Sequence, residues 1–146
     1  MPDEMALLVA DLYEVAGLLR DRGEEIAAAE GQTQARWQLL SVVSETPLTV
    51  PRAARRLGIT RQAVQRVAND LVREELADFT PNRDHRTSPL LKLTAHGHDV
   101  LSRITTRARD TQRGWTDGIE PCELADARNV IRRLATRLRE HDTRRP

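Results

Sequence analysis

Residues 54–72 read ARRLGITRQAVQRVANDLV. Gly58 divides this stretch into the end of one helical run and the start of another, which carries Val64, Val67, Ala68 and Leu71 at helical spacing. Two helices joined by a tight turn containing glycine form a helix-turn-helix. Such a unit needs a small residue where the helices cross, a flexible residue at the turn and an apolar anchor on the second helix. Ala54, Gly58 and Val64 stand at those positions, with Leu57, Ile59 and Val67 around them. Gly58 can take the left-handed conformation that ends a helix, and Thr60 can cap the next one. With the apolar set turned inward, Arg61, Gln62, Gln65 and Arg66 face outward in the first two turns. That end of a recognition helix is the part that enters a major groove. Arginine can hold guanine through two bonds and glutamine can do the same to adenine, each pair contributing roughly 1–3 kcal/mol of discrimination. The free N–H groups at the helix start also suit a phosphate. The competing reading is an ordinary solvated polar face, and the turn pattern favours DNA reading over it. Arg52, Arg55 and Arg56, just upstream, fit the role of phosphate clamps.

Outward from this centre the chain is mostly helical. Leu8, Leu12, Val15, Leu19 and Ile26 fit one stripe of a long helix from 5 to about 29, with Gly31 just beyond it. Thr33 is placed to cap a second helix over about 33–45, with Trp37, Leu40 and Val43 as core candidates. Thr49 caps a short third helix, whose Pro51 falls in the first turn, where a missing N–H costs little. After the helix-turn-helix comes LADFTPNRDHRTSPLLKLT, in which runs 76–80 and 89–93 flank a polar tip and predict a two-stranded hairpin. Pro89 cannot donate to a ladder, so it belongs at an edge or at a strand start. Thr94 caps a fifth helix from 95 to about 117, and Leu124, Ala127, Ile131, Leu134 and Leu138 stripe a sixth from about 121 to 140. No domain linker interrupts this order.

A hairpin directly after a recognition helix is a wing. Its tip, NRDHR, carries Arg83 and Arg86 around Asp84. Arginine at a narrow minor groove gains from the enhanced negative potential there. An aspartate between two arginines can orient one of them by a forked ion pair.

Charge is distributed to match. The chain of 146 residues has net charge +1. Residues 1–46 carry 3 basic and 9 acidic side chains, 47–92 carry 9 and 5, and 93–146 carry 11 and 8. The positive middle is where an anionic polymer is drawn. All basic residues except Lys92 are arginine, the fork-shaped donor suited to phosphates and guanine edges. With 31% charged and 39% hydrophobic residues a soluble domain is expected. No apolar run approaches the roughly 18 residues of a membrane span, and the acidic start MPDEMALLVADLYEV does not resemble a secretory signal, so a cytoplasmic protein is expected.

LGITRQAVQRVANDLV and NRDHRTSPLLKLTAHG together resemble the MarR family of winged-helix transcription regulators, over essentially the whole chain. The former is similar to the family's recognition helix. The latter is similar to its wing, with Asp84 and Arg86 matching the Asp-x-Arg pattern, followed by the Leu-Thr-x-x-Gly lead-in to the fifth helix at Leu93, Thr94 and Gly97. The resemblance implies a mainly α fold with a small β-hairpin wing. Residues 1–32 and 95–146 would be dimerisation helices around a winged helix-turn-helix at 33–94. It further implies a homodimer on a pseudo-palindromic duplex and no enzymatic activity. Its expected DNA contacts are Thr60, Arg61, Gln62, Gln65, Arg66, Arg83, Asp84, Arg86, Arg52, Arg55 and Arg56. One departure is Glu75, where the family commonly has glycine, which implies a looser turn or a costlier backbone conformation there. Family members often bind small aromatic or anionic effectors, for which Tyr13, Arg36 and Trp37 are the candidates here, although core packing is the stronger reading of the three.

Other chemistry finds little footing. Cys122 is a single cysteine, so it allows no internal disulfide or cysteine-cluster metal site. His96 and His98 are two apart and do not share a helix face. No metal or cofactor is expected. No P-loop, dinucleotide fingerprint or nucleophile elbow occurs. The alternative from another class is a winged-helix module that binds protein and no nucleic acid.

Overall fold

The computed structural model describes residues 3–143. Residues 1–2 and 144–146, the outer ends of the two expected dimerisation segments, lie outside the described residues. Helix α1 spans Glu4–Ala28 and begins where the Asp3 carboxylate accepts the Met5 N–H at 2.9 Å. Gly31 follows it at φ 71°, the left-handed turn that lets Gln32 N–H return to the Ala27 carbonyl at 2.9 Å. Helix α2 spans Gln34–Glu45, with the Thr33 hydroxyl accepting Arg36 N–H. Strand β1, Leu48–Thr49, leads into α3, Val50–Leu57, and α4 covers Arg61–Arg73. Strands β2, Ala77–Thr80, and β3, Leu90–Leu93, precede α5, Ala95–Trp115, and α6, Pro121–Asp142. The described chain divides into two compact units within α5, after Arg109.

In the first unit the core gathers one face from each element. Leu39, Leu40 and Val43 of α2 meet Ala53 and Ala54 of α3, Val64, Ala68 and Leu71 of α4, and Val100, Ile104 and Ala108 of α5. Leu76, Ala77, Leu91 and Leu93 bring in the sheet. Trp37 and Val67, expected inside, pack partly buried against this cluster, and Leu39 takes a fully buried place that the expected core of α2 did not include. Truncating such a residue, as in Leu71→Ala, costs about 2–5 kcal/mol through lost contacts and the remaining cavity.

The sheet has three strands rather than the expected two, in antiparallel order β1-β3-β2. β1 pairs Leu48 with Leu91 and Thr49 with Leu90. Thr49 therefore does two things at once: it closes the sheet edge and caps α3, accepting the Arg52 N–H at 3.3 Å. A two-residue strand between a proline and a capping threonine has no periodicity to show in sequence. Pro89 stands one residue before β3, which is the central strand, so every ladder position keeps its N–H.

In the second unit, Pro121 occupies the first turn of α6 and the Glu123 carboxylate accepts Glu120 N–H at 2.9 Å. Helix α6 buries none of its described residues, and Leu124, Ile131 and Leu138 are exposed.

Candidate nucleic-acid interface

The turn between α3 and α4 forms as its residues dictate. Gly58 adopts φ 68°, ending α3, while Gly58 N–H and Ile59 N–H both return to the Ala54 carbonyl. The Thr60 hydroxyl then accepts Ala63 N–H at 3.1 Å and starts α4. Val64, Ala68 and Leu71 are buried, which turns Arg61, Gln62, Gln65 and Arg66 outward, and all four are exposed. The first two turns of α4 thus present two guanidinium groups and two amides at the positive end of a helix.

A groove of about 390 Å³ separates this helix from the wing. Arg61, Gln62 and Gln65 line one side, and Phe79, Thr87, Ser88 and Pro89 the other, with Val50 and Pro51 at the start of α3. The structure therefore brings the helix start and the base of the wing onto one surface. Arg83, Asp84 and Arg86 stand at the exposed wing tip, outside that groove lining. No ion pair joins Asp84 to either arginine among the described residues. Instead, Asp84 N–H donates to the Asn82 side chain at 3.1 Å. The forked pair expected from the sequence is not formed, and the tip is shaped by this local Asx turn.

Charge pairing sharpens the contrast between the two ends of α4. At its C-terminal end, Arg36 of α2 bonds Glu74 at 2.9 Å and approaches Asp70 at 3.8 Å, while Arg73 bonds Asp70 at 3.1 Å. At the other end, Arg52, Arg55, Arg56, Arg61 and Arg66 join no ion pair among the described residues, and neither do Arg83 and Arg86 on the wing. The acidic side chains of α4 are occupied far from its start, so the start and the wing keep unneutralised positive charge.

The MarR family profile matches residues 31–86, which hold α4 and the wing as far as Arg86. An uncharacterized protein of Mycobacterium tuberculosis is 58% identical over 139 residues, 95% of this chain and 97% of its own length. A MarR-family transcriptional regulator from Rhodococcus sp. RHA1 superposes with a TM-score of 0.82 at 14% identity, over 92% of this chain and 96% of that one. Staphylococcus aureus MarR, in complex with salicylate and kanamycin, superposes at 0.75 with 15% identity, over 93% and 92%. Residues 31–86 belong to the MarR family, and the chain has the fold of these MarR-family structures.

The wing is tied to α5 by one compact junction. Thr94 N–H donates to the Leu76 carbonyl at 3.1 Å, and the Thr94 hydroxyl donates to the Glu75 carbonyl at 2.7 Å. The same hydroxyl accepts Gly97 N–H at 3.0 Å and so caps α5. Gly97 lies against the Leu76 carbonyl so closely that a Cβ would stand 1.9 Å from its oxygen. This explains the Leu93-Thr94-x-x-Gly97 pattern: the threonine serves both neighbours and only glycine leaves room. Glu75 takes the costlier of the two alternatives at its position, with φ 61°.

The candidate effector residues occupy three different settings. Tyr13 is 78% exposed on α1. Arg36 is held by Glu74 and Asp70, and Trp37 packs against the core. A second groove, of about 730 Å³, runs between α1, α2 and the end of α3. Leu19, Arg20, Gln34, Gln38, Leu57 and Ile59 are among its lining residues, and none of the three candidates is. The sequence alone did not single out Thr87 and Ser88 of the wing or Asn69 of α4, whose side chain bonds Gln65. The spacing from 65 to 69, one helical turn on an exposed face, was the available signal for Asn69.

Proposed function

We propose that the chain is a homodimeric, cytoplasmic DNA-binding repressor that reads a pseudo-palindromic operator. The observation that carries this reading is the exposed, unpaired start of α4, which shares a groove with the wing. Arg61, Gln62, Gln65 and Arg66 read base edges in the major groove, with Thr60 at the helix start beside the backbone. Arg83 and Arg86 of the wing reach the minor groove or its phosphates, with Asp84 between them, and Arg52, Arg55 and Arg56 hold phosphates on the flank. Two such surfaces would meet half-sites about 34–36 Å apart.

Dimerisation is supported by apolar side chains left uncovered in the single chain. On α1, Leu18 and Leu19 are exposed, and on α6 so are Leu124, Ile131 and Leu138. Helices that expose leucine at core spacing are covered by a partner. Repression can be relieved by a small aromatic or anionic effector, of the kind that salicylate represents in the Staphylococcus aureus MarR complex. Arg36 is the cation such an anion would compete for. Its capture would release Glu74 and leave Asp70 to Arg73 alone at the far end of the recognition helix, with Trp37 and Tyr13 as the aromatic candidates on α2 and α1.

The test is retention of duplexes from a random pool by the full chain, followed by binding across salt concentrations. A symmetric consensus with steep loss of affinity as salt rises is expected. Failure to retain any duplex would remove this reading and favour a winged-helix protein–protein module.

A further inference from the structure

On the exposed face of α4, the Gln65 side-chain amide donates to the Asn69 side-chain carbonyl at 2.9 Å. The two residues are four apart, so they lie one above the other along the helix. Both are exposed, and Gln65 also lines the groove facing the wing. A lone exposed glutamine samples many rotamers, and fixing one rotamer-rich side chain on binding costs about 0.5–1.5 kcal/mol. Here one partner already holds it.

We propose that Asn69 is a positioning residue for Gln65 and that together they specify an A·T base pair at the operator position facing Gln65. This rests on the DNA reading given above and deepens it. The chemistry follows from counting donors and acceptors. A glutamine amide has one carbonyl oxygen and two N–H donors. Adenine presents an N6 donor beside an N7 acceptor in the major groove, which requires the amide oxygen and the N–H next to it. The other N–H points away from the oxygen and is the one that can serve Asn69. The bond to Asn69 therefore leaves the adenine-matching pair intact and holds its plane. Guanine offers O6 and N7, two acceptors, so O6 would face the amide oxygen with no donor between them.

Asn69 is suited to this because its own polar atoms have little other use on the helix. No other hydrogen bond or ion pair engages its side chain among the described residues. The neighbouring acidic residue, Asp70, is drawn to Arg36 and Arg73 instead. Arg61 and Arg66 lie within one turn of Gln65, and among the described residues no bond joins either of them to its carbonyl.

The experiment uses the full chain and the duplex that it selects from a random pool. Binding is measured to that duplex and to versions with each base pair replaced in turn, for the parent, Gln65→Ala, Asn69→Ala, Asn69→Asp and the double alanine variant. The parent is expected to prefer A·T at one position in each half-site by roughly 5- to 160-fold, a preference that Gln65→Ala abolishes. Asn69→Ala should lower that ratio about 2- to 12-fold at this position alone, and should have no further effect once Gln65 is alanine. A merely structural role would weaken all duplexes in parallel and leave the ratio standing. Asn69→Asp keeps the acceptor, so it should keep the ratio while binding every duplex more weakly through its charge. An unchanged ratio in Asn69→Ala, additive effects in the double variant, or a ratio lost in Asn69→Asp would overturn the pairing while leaving the DNA reading in place. A parent chain that binds no duplex would overturn both.

Discussion

Gly97→Ala is the sharpest test of how the wing is anchored. The added Cβ would lie 1.9 Å from the Leu76 carbonyl oxygen, 3.0 Å from its carbon and 3.4 Å from its Cα, all backbone atoms. Ordinary contact begins at 3.4 Å, so the start of α5 and the start of β2 must part by 1.5 Å. No side-chain rotation can absorb that. The separation would strain or break the Thr94 N–H bond to Leu76 and the Thr94 hydroxyl bond to Glu75, now 3.1 and 2.7 Å long. Overpacking of a tight site costs about 1–3 kcal/mol, and a buried polar group left without its partner costs about another 1–3 kcal/mol. A loss of about 2–6 kcal/mol is therefore expected, in the upper part of the usual range for one substitution or above it. For a chain of this size each kcal/mol lowers Tm by about 2–4 °C, so thermal unfolding should shift down by at least about 4 °C. Parent and variant melts must be run at one protein concentration, because a dimer's Tm depends on it. If Gly97→Ala melts within about 2 °C of the parent, the close approach does not govern this junction and the reasoning fails.

Other outcomes follow from the same structure. Glu75→Gly relieves a left-handed conformation that costs a non-glycine residue about 1–2 kcal/mol; after the extra chain entropy of glycine, chemical denaturation should show a gain of about 0.5–1 kcal/mol. Arg86→Ala should weaken binding to every duplex and reduce the slope of log affinity against log salt by about 1 per subunit, and equal slopes for variant and parent would count against a phosphate contact. Glu30 bonds Arg107 at 2.7 Å and Arg103 at 3.1 Å, and Arg103 also pairs with Asp99. The hydrogen bonds from Arg107 and then Arg103 hold the Glu30 carboxyl below the usual carboxylate range. A depressed carboxylate stabilises the fold fully above its unfolded pKa, about 4.3, and loses that contribution as pH falls through the folded value. The Tm gap between parent and Glu30→Gln should therefore be widest near neutral pH and close in acid, and a gap independent of pH would refute the clasp.

Much of this molecule was legible in the residues alone, and for a local reason. Helix starts depend on one side chain reaching N–H groups two or three residues on, so Thr33, Thr49, Thr60 and Thr94 announced the helices that they cap. Gly58 marked its turn because only a residue without a Cβ enters the left-handed region cheaply. The outward set Arg61, Gln62, Gln65 and Arg66 followed from the helical period once Val64, Ala68 and Leu71 were assigned inside. What depended on distant parts of the chain meeting could not be read that way. β1 exists only because β3, some forty residues later, offers its free edge. The space that forbids a Cβ at Gly97 is defined by Leu76, and the groove beside Gln65 by Thr87 and Ser88. Arg36 is drawn to Glu74 across 38 positions of chain. Local capping and periodicity are properties of a few adjacent residues, whereas these contacts arise only when the core closes and brings remote segments within bonding distance.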